Sequence, residues 1–277
     1  MLRASRALAR NALASPKMPR VEALQPLYDL GVTPRHGQVV MVAGRSGSMK
    51  STFALWLVEQ WGLDTLYFSA DMTAFQASMK LASLRTQQRI ERIEEAVRKD
   101  GAGEFERALE GTRVQFSFHT PIRWERVMDE LNAWVTAYNR FPQVIVLDNL
   151  MDIEGAEADY SEQMFAMQVV SDLSRETGAT VLILHHASDK SWDAAGKPFL
   201  PPGRQEVKGG LSEKPELSLS VAFNPNTFEL NVAPIKNRLG FQDPTAATFA
   251  TFGVVPETNL FYDRGVVVES GSVQNGV

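Results

Sequence analysis

The chain has 277 residues, 44% of them hydrophobic, and a formal net charge of -5, which suits one large α/β domain with short appendages. It contains no cysteine, which excludes disulfides, thiolate metal sites and a cysteine nucleophile, and fits a reducing cytoplasm. No apolar run is long enough to span a membrane, and the acidic balance requires any nucleic-acid contact to come from a local patch rather than from the overall field.

Residues 1–20 form a basic segment. Arg3, Arg6, Arg10 and Lys17 are interleaved with Leu, Ala and Ser, and no acid precedes Glu22. This composition is open to three readings: an organellar targeting peptide, an arm that docks on a neighbouring subunit or on DNA, or a frayed, solvated helix. The main domain is expected over 21–265 and a loose tail over 266–277. Gln38–Ala43 reads as a strand, followed by a Gly- and Ser-rich loop and a helix over Ser51–Trp61. Leu66–Ser69 is a second strand. Thr73 to Lys99 reads as helical, with Phe75, Met79 and Ala82 on one face and a solvated charged stretch after them; Gly101–Gly103 breaks it. Val114–Phe118 is a third strand, and apolar residues from Trp124 to Tyr138 recur at helical spacing. Val144–Leu147 and Thr180–Leu184 are short apolar strands of the kind buried on both faces of a parallel sheet, separated by a helix over Ser161–Arg175 that Gly178 stops. Strands alternating with helices predict a doubly wound, mainly parallel sheet with helices on both faces. Ala187–Gly210 then reads as a long polar loop. Leu217–Phe223 and Thr227–Val232 read as a hairpin, with further strands at Ala247–Phe252 and Leu260–Tyr262.

The segment carrying chemistry is Gly44-Arg45-Ser46-Gly47-Ser48-Met49-Lys50-Ser51-Thr52, between a strand and a helix. A triphosphate needs backbone N–H groups, a helix N-terminus, a lysine for the β/γ oxygens and a hydroxyl for Mg²⁺. Gly44, Gly47, Lys50 and Ser51 supply these in the required order. The pattern asks for glycine before the lysine, because that torsion resists a side chain. Met49 stands there, so weakened binding or a reshaped loop is expected. Asp148, at the end of an apolar strand, is the candidate partner of Ser51 in supporting Mg²⁺. Asp71, after the second strand, is the candidate to orient or deprotonate an attacking water. The ordinary alternatives are a Gly-Ser turn with a chance lysine, and aspartates that cap helices. His185 and His186 follow a core strand, where ligands bind in such sheets; His186 is the candidate γ-phosphate sensor. Zinc is not expected, since the four histidines make no H-E-x-x-H and cysteine is absent.

These residues resemble a known family. RSGSMKSTFA (Arg45 to Ala54) is similar to the Walker A segment of DnaB-type replicative helicases, and FSADM (Phe68 to Met72) to the strand end where they carry a catalytic glutamate, here the shorter Asp71. VIVLDNL resembles their Walker B strand. LILHHASDK resembles the sensor strand of RepA-like plasmid helicases and their phage relatives. IKNRLG (Ile235 to Gly240) resembles the late K-x-R segment. The resemblance covers roughly 21–251. It implies a RecA-like core with the sensor strand between the Walker A and Walker B strands, ATP or another nucleoside triphosphate with Mg²⁺, a homo-oligomeric ring (a hexamer) or filament, and single-stranded DNA in its channel. It also implies that Lys236 and Arg238 reach a neighbouring subunit's nucleotide. The loop carrying Lys190, Lys197, Arg204 and Lys208 would face the DNA, although Asp189, Asp193 and Glu206 nearly cancel its charge. With few residues before the core, the chain is most similar to stand-alone RecA-like ATPases of phages and plasmids, which act in the cytoplasm, the host's where phage-encoded. The reading is an ATPase acting on DNA in replication or recombination. One rival is a nuclease using Asp71, Asp148 and Asp152 or Glu154 to hold metal. The other is a nucleotide-binding module in which Met49 and Asp71 mark lost catalysis.

Overall fold

The computed structural model describes residues 17–156, 159–188 and 199–268. In chain order the elements are α1 (Gln25–Asp29), β1 (Val39–Gly44), α2 (Lys50–Trp61), β2 (Thr65–Ser69), α3 (Ala74–Thr86), α4 (Ile90–Asp100), α5 (Gly103–Leu109) and β3 (Val114–Ser117). These are followed by α6 (Trp124–Tyr138), β4 (Val144–Asp148), α7 (Tyr160–Thr177), β5 (Thr180–His186), β6 (Leu217–Asn224), β7 (Glu229–Asn237), β8 (Thr248–Val255) and β9 (Leu260–Val268).

The nine strands among the described residues join one sheet in the order β3-β2-β4-β5-β1-β6-β7-β8-β9. The first six in that order are parallel to one another and the last three pair antiparallel. β5 thus lies between β4 and β1, as the resemblance implied for the sensor strand. The hairpin β6–β7 is continuous with the core, because β6 pairs in parallel with β1. β9 runs to Val268, so the last strand continues past the expected start of the tail at 266.

Strand side chains alternate between two cores, the period-two rule made physical. Val40, Val42, Tyr67, Val144, Val146, Leu182 and Leu184 face α2 and α3, where Phe53, Trp56, Phe252 and Phe261 pack together. Val39, Met41, Leu66, Phe68, Ile145, Leu147, Val181 and Ile183 face α6 and α7. Each central strand is therefore buried on both faces, which is why β1, β2 and β4 read as unbroken apolar runs.

Two expectations are corrected. The helical stretch from Thr73 to Lys99 is two helices, since Gln87 takes a left-handed conformation after α3. Of the face expected there, Met79 and Ala82 are buried with Ile93 and Phe105, whereas Phe75 is exposed. The charged stretch is solvated as expected: Ile93 is the buried residue of α4.

Candidate functional site

The parallel strands end at one edge of the sheet, and a cleft of about 230 Å³ lies there. It is lined by residues 46–52 with Asp71, Lys80, Asp148, Asn149 and His186.

The loop after β1 is built by close approach. A Cβ on Gly44 would sit 2.4 Å from Ser48 Oγ and 2.8 Å from the Val221 carbonyl, so only glycine fits between the loop and β6. Gly47 has φ 72. Met49 has φ 61 and ψ 23, the left-handed region that the pattern reserves for glycine. The expectation of a reshaped loop is therefore corrected. The backbone turns as a glycine would turn it, and the Met49 side chain packs against the adjoining core. α2 begins directly after it with no side chain capping its first turn, which leaves N–H groups directed at the cleft. The Lys50 ammonium folds back onto the loop, donating to the carbonyls of Gly44 at 3.0 Å and Arg45 at 2.9 Å. Arg45 turns away, donating to Glu206 Oε1 at 2.6 Å and to the Leu200 carbonyl at 3.2 Å.

Alternation places the acid. Asp148 continues the Val144, Val146 parity and so points toward α2, where Ser51 Oγ donates to its Oδ1 at 3.1 Å. Tyr67 on the neighbouring strand donates its hydroxyl to Oδ2 at 2.8 Å. Asp148 is 1% exposed. Burial raises its pKa, against the Tyr67 and Ser51 hydrogen bonds and Lys50, which lower it. Tyr67 is held neutral well above its ordinary value, first by burial and then by the Asp148 charge. Asp71 lines the same cleft and accepts from Asn149 Nδ2 at 3.3 Å.

The same rule separates the histidines, both of which lie within β5 rather than after it. His186 pairs in register with Gly44 and lines the cleft. His185 points to the other core, its Nε2 2.9 Å from the Lys208 carbonyl, and burial lowers its pKa to about 4.

Lys236 and Arg238 stand at the opposite edge of the sheet from the cleft. Asn237 pairs with Leu217, which pairs with Val40, whereas Gly44 pairs with Val221. Neither therefore reaches the phosphate loop of its own chain. An extended run through residues 235–240 would put Lys236 and Arg238 on one side, with Asn237 opposite; β7 instead ends at Asn237. Lys236 is buried, its ammonium donating to the Glu213 carbonyl, with a pKa lowered to about 8 by burial first and by Arg238 and Arg204 next. Arg238 is exposed.

Of the four basic residues proposed for DNA, Lys190 and Lys197 lie outside the described residues. Arg204 pairs with Glu213 at 3.0 Å, and Lys208 is exposed on a short 3-10 turn. The loop's ends are tied together, Ala187 pairing with Val207 and the Ser188 N–H donating to the Glu206 carbonyl. Among the nuclease candidates, Glu154 pairs with Arg123 at 3.4 Å. The described residues contain no group of three or more His, Asp or Glu arranged to hold a metal ion. No helix among them is long and apolar enough to cross a membrane.

Three residues of the site escaped the sequence reading: Lys80 and Asn149, which line the cleft, and Tyr67, buried behind Asp148. Tyr67 had no local signal, since its place beside Asp148 follows from the pairing of β2 with β4. Lys80 had a weak one, at helical spacing between the buried Ala77 and Leu84.

Comparison with known proteins agrees with this geometry. The AAA domain family model matches residues 5–191. The Gene 65 protein of Mycobacterium phage L5 is 31% identical over 241 residues, covering 83% of this chain and 88% of that protein. The Gene 65 protein of Mycobacterium phage D29 is 29% identical over 235 residues, covering 81% and 99%. Among solved structures, an isolated ATPase domain superposes with a TM-score of 0.76 at 13% identity, over 94% of this chain and 96% of that one. A DnaB-like replicative helicase, studied with its primase interactions, superposes with a TM-score of 0.68 at 14% identity over 82% of this chain. The chain spans 57% of that helicase's length. On the family match and the identity to the L5 protein, the chain belongs to the AAA domain family, with the RecA-like P-loop fold of DnaB-type ATPase domains.

Proposed function

We propose that the chain is a Mg²⁺-dependent ATPase that works on DNA in replication or recombination, assembled as a ring with single-stranded DNA in its channel. The observation that carries the reading is the convergence of Lys50, Ser51, Asp148, Asp71 and His186 on one cleft at the N-terminus of α2. The donor set fits a nucleoside triphosphate with Mg²⁺: an uncapped helix start, a lysine whose partners include loop carbonyls, and a serine hydroxyl on a buried carboxylate. Ser51 and Asp148 would hold the metal, whose chemistry is to neutralise charge on the phosphate oxygens.

The chain's own groups then divide the work. Residues 44–52 bind phosphate oxygens through N–H groups, and Lys50 exchanges the carbonyls of Gly44 and Arg45 for β/γ oxygens. Asp71 accepts from the attacking water, and His186 reads the γ-phosphate by hydrogen bonding. Arg238, exposed at the far edge of the sheet, acts on the nucleotide of a neighbouring subunit, while Lys236 anchors the base of that turn. Lys208 and the loop it closes contact the DNA. Among the described residues, Asp71, Asp148, Asp152 and Glu154 are not gathered into a group of three or more that could hold a metal, which favours nucleotide turnover over metal-dependent cleavage of DNA.

The test is ATP hydrolysis with Mg²⁺, with and without single-stranded DNA. Hydrolysis is expected to require Mg²⁺, to rise with DNA, and to fall by at least about a hundredfold in Lys50→Ala. Hydrolysis by Lys50→Ala at the parent rate would refute the phosphate-loop assignment. Binding of nucleotide with no turnover under any condition would leave the non-hydrolysing module instead.

A further inference from the structure

Lys80 is the cleft residue that neither the loop nor the strand ends account for. It lies on α3, and its ammonium donates to Thr52 Oγ1 at 2.9 Å, in the first turn of α2. It shares the cleft wall with Asp71, Asp148 and Lys50. Its neighbours on that helix face, Ala77, Leu81 and Leu84, are core residues. The amino group is thus delivered into the cleft by a packed helix and not by a free surface side chain. Burial lowers its pKa, and the Asp148 charge offsets part of that lowering.

Charge defines the side of the cleft it occupies. Lys50 stands on the loop side, on the carbonyls of Gly44 and Arg45. Asp148 and Asp71 mark the side where metal and attacking water would lie, the γ-phosphate end. Lys80 reaches that side from α3, against Thr52, and both it and Lys50 lie within the Asp148 field. Among the lining residues Lys50 and Lys80 balance Asp71 and Asp148. Without Lys80 the wall that must accept a polyanion would carry two carboxylates against one ammonium.

The helix gives the contact a mechanical consequence. α3 starts shortly after Asp71 and is fixed there by a reciprocal cap: the Gln76 N–H donates to Thr73 Oγ1, and the Thr73 N–H donates to Gln76 Oε1. Asp71 thus leads directly into the capped start of the helix that carries Lys80. A ligand that draws Lys80 toward it sets Asp71 over the same phosphate.

We propose that Lys80 is a second phosphate-facing cation, acting in cis, through which α3 distinguishes a nucleoside triphosphate from a diphosphate and positions Asp71. This rests on the nucleotide-binding reading above. The competing account is that Lys80 only ties α3 to α2 through Thr52. That tie would stabilise the fold without favouring either nucleotide.

The experiment measures Kd of the full chain, with Mg²⁺, for ADP and for the non-hydrolysable β,γ-imido analogue of ATP. Lys80→Met keeps the stem and removes the charge; Lys80→Arg keeps the charge and tests rescue. Lys80→Met is expected to weaken the analogue about ten- to hundredfold, the range for losing a charged hydrogen bond, with ADP held within about threefold. Lys80→Arg is expected to restore most of the preference. Equal weakening of both nucleotides in Lys80→Met, or no weakening of either, overturns the proposal while leaving the nucleotide site intact. If the parent chain binds neither nucleotide, the nucleotide-binding reading itself fails and this proposal falls with it. Should Lys80→Met fold poorly, Lys80→Gln carries the same comparison with a neutral donor in place.

Discussion

Met49 offers the sharpest test of the loop. A non-glycine residue at φ 61 and ψ 23 costs about 1–2 kcal/mol relative to an unstrained one. Met49→Gly releases that strain. Against it stand the loss of a half-buried side chain packed on the core, about 1 kcal/mol, and the extra backbone freedom of glycine in the unfolded chain, about 0.5–1 kcal/mol. The terms nearly cancel. The melting temperature of Met49→Gly is thus expected to stay within about 3 °C of the parent. ADP affinity should change by less than about threefold, because the backbone already holds the torsion glycine would adopt. Met49→Val is the complementary perturbation. A β-branched side chain at positive φ is far more strained, so this variant should melt lower and bind ADP more weakly. Scanning calorimetry and titration with ADP read both effects. Tenfold tighter binding by Met49→Gly would mean that the methionine obstructs the phosphates. A Met49→Val protein indistinguishable from the parent would mean that the loop does not hold the left-handed turn.

Two further outcomes follow from the same geometry. Because burial raises the Asp148 pKa, the ionised form is disfavoured in the folded chain, and its contribution to stability is lost as pH rises from the ordinary carboxylate range through the folded value. Asp148→Asn is therefore expected to raise the melting temperature at neutral pH without Mg²⁺, while abolishing hydrolysis; a variant that melts lower and still turns over ATP contradicts both roles. Arg238→Ala should bind nucleotide like the parent but hydrolyse it poorly, since a trans arginine contributes about 10³–10⁵ in rate in other phosphoryl-transfer enzymes. Mixing it with Lys50→Ala protein should recover some hydrolysis at boundaries that join an intact site to an intact arginine. No recovery in verified mixed oligomers, or full activity as a monomer, rules out the trans arrangement.

Much of the fold was legible because its physics is periodic. Unbroken apolar runs at Val144–Leu147 and Thr180–Leu184 identified strands buried on both faces, and the loop from Gly44 to Thr52 was readable because its residue types are fixed by what phosphate needs. Two things were not legible, each for a stated reason. Residues Thr73 to Lys99 offered no glycine or proline to mark the break, since Gln87 makes the left-handed turn itself. The order of the strands depends on pairings across the chain that no local pattern encodes. β6 shows this best: it reads as half of a hairpin, but its parallel pairing with β1 makes it part of the core.

The misjudged side chains have a common origin. Sequence spacing tells which face a residue occupies only while the element continues, and β7 stops between Lys236 and Arg238. Once the strand ends, the following residue is set by turn geometry: the Arg238 N–H donates to the Glu216 carbonyl and the side chain turns to solvent, while Lys236 stays buried. Conversely, where elements do continue, parity alone decided which of two adjacent histidines lines the cleft. His186 shares the parity of Leu182 and Leu184, which face α2, and His185 shares that of Val181 and Ile183, which face α7. The same step places Asp148 with Val144 and Val146, and Tyr67 beside it. The buried carboxylate and its two hydroxyl partners are therefore a consequence of strand register, and a one-residue slip of β4 against β2 would turn Asp148 away from Ser51 and into the opposite core.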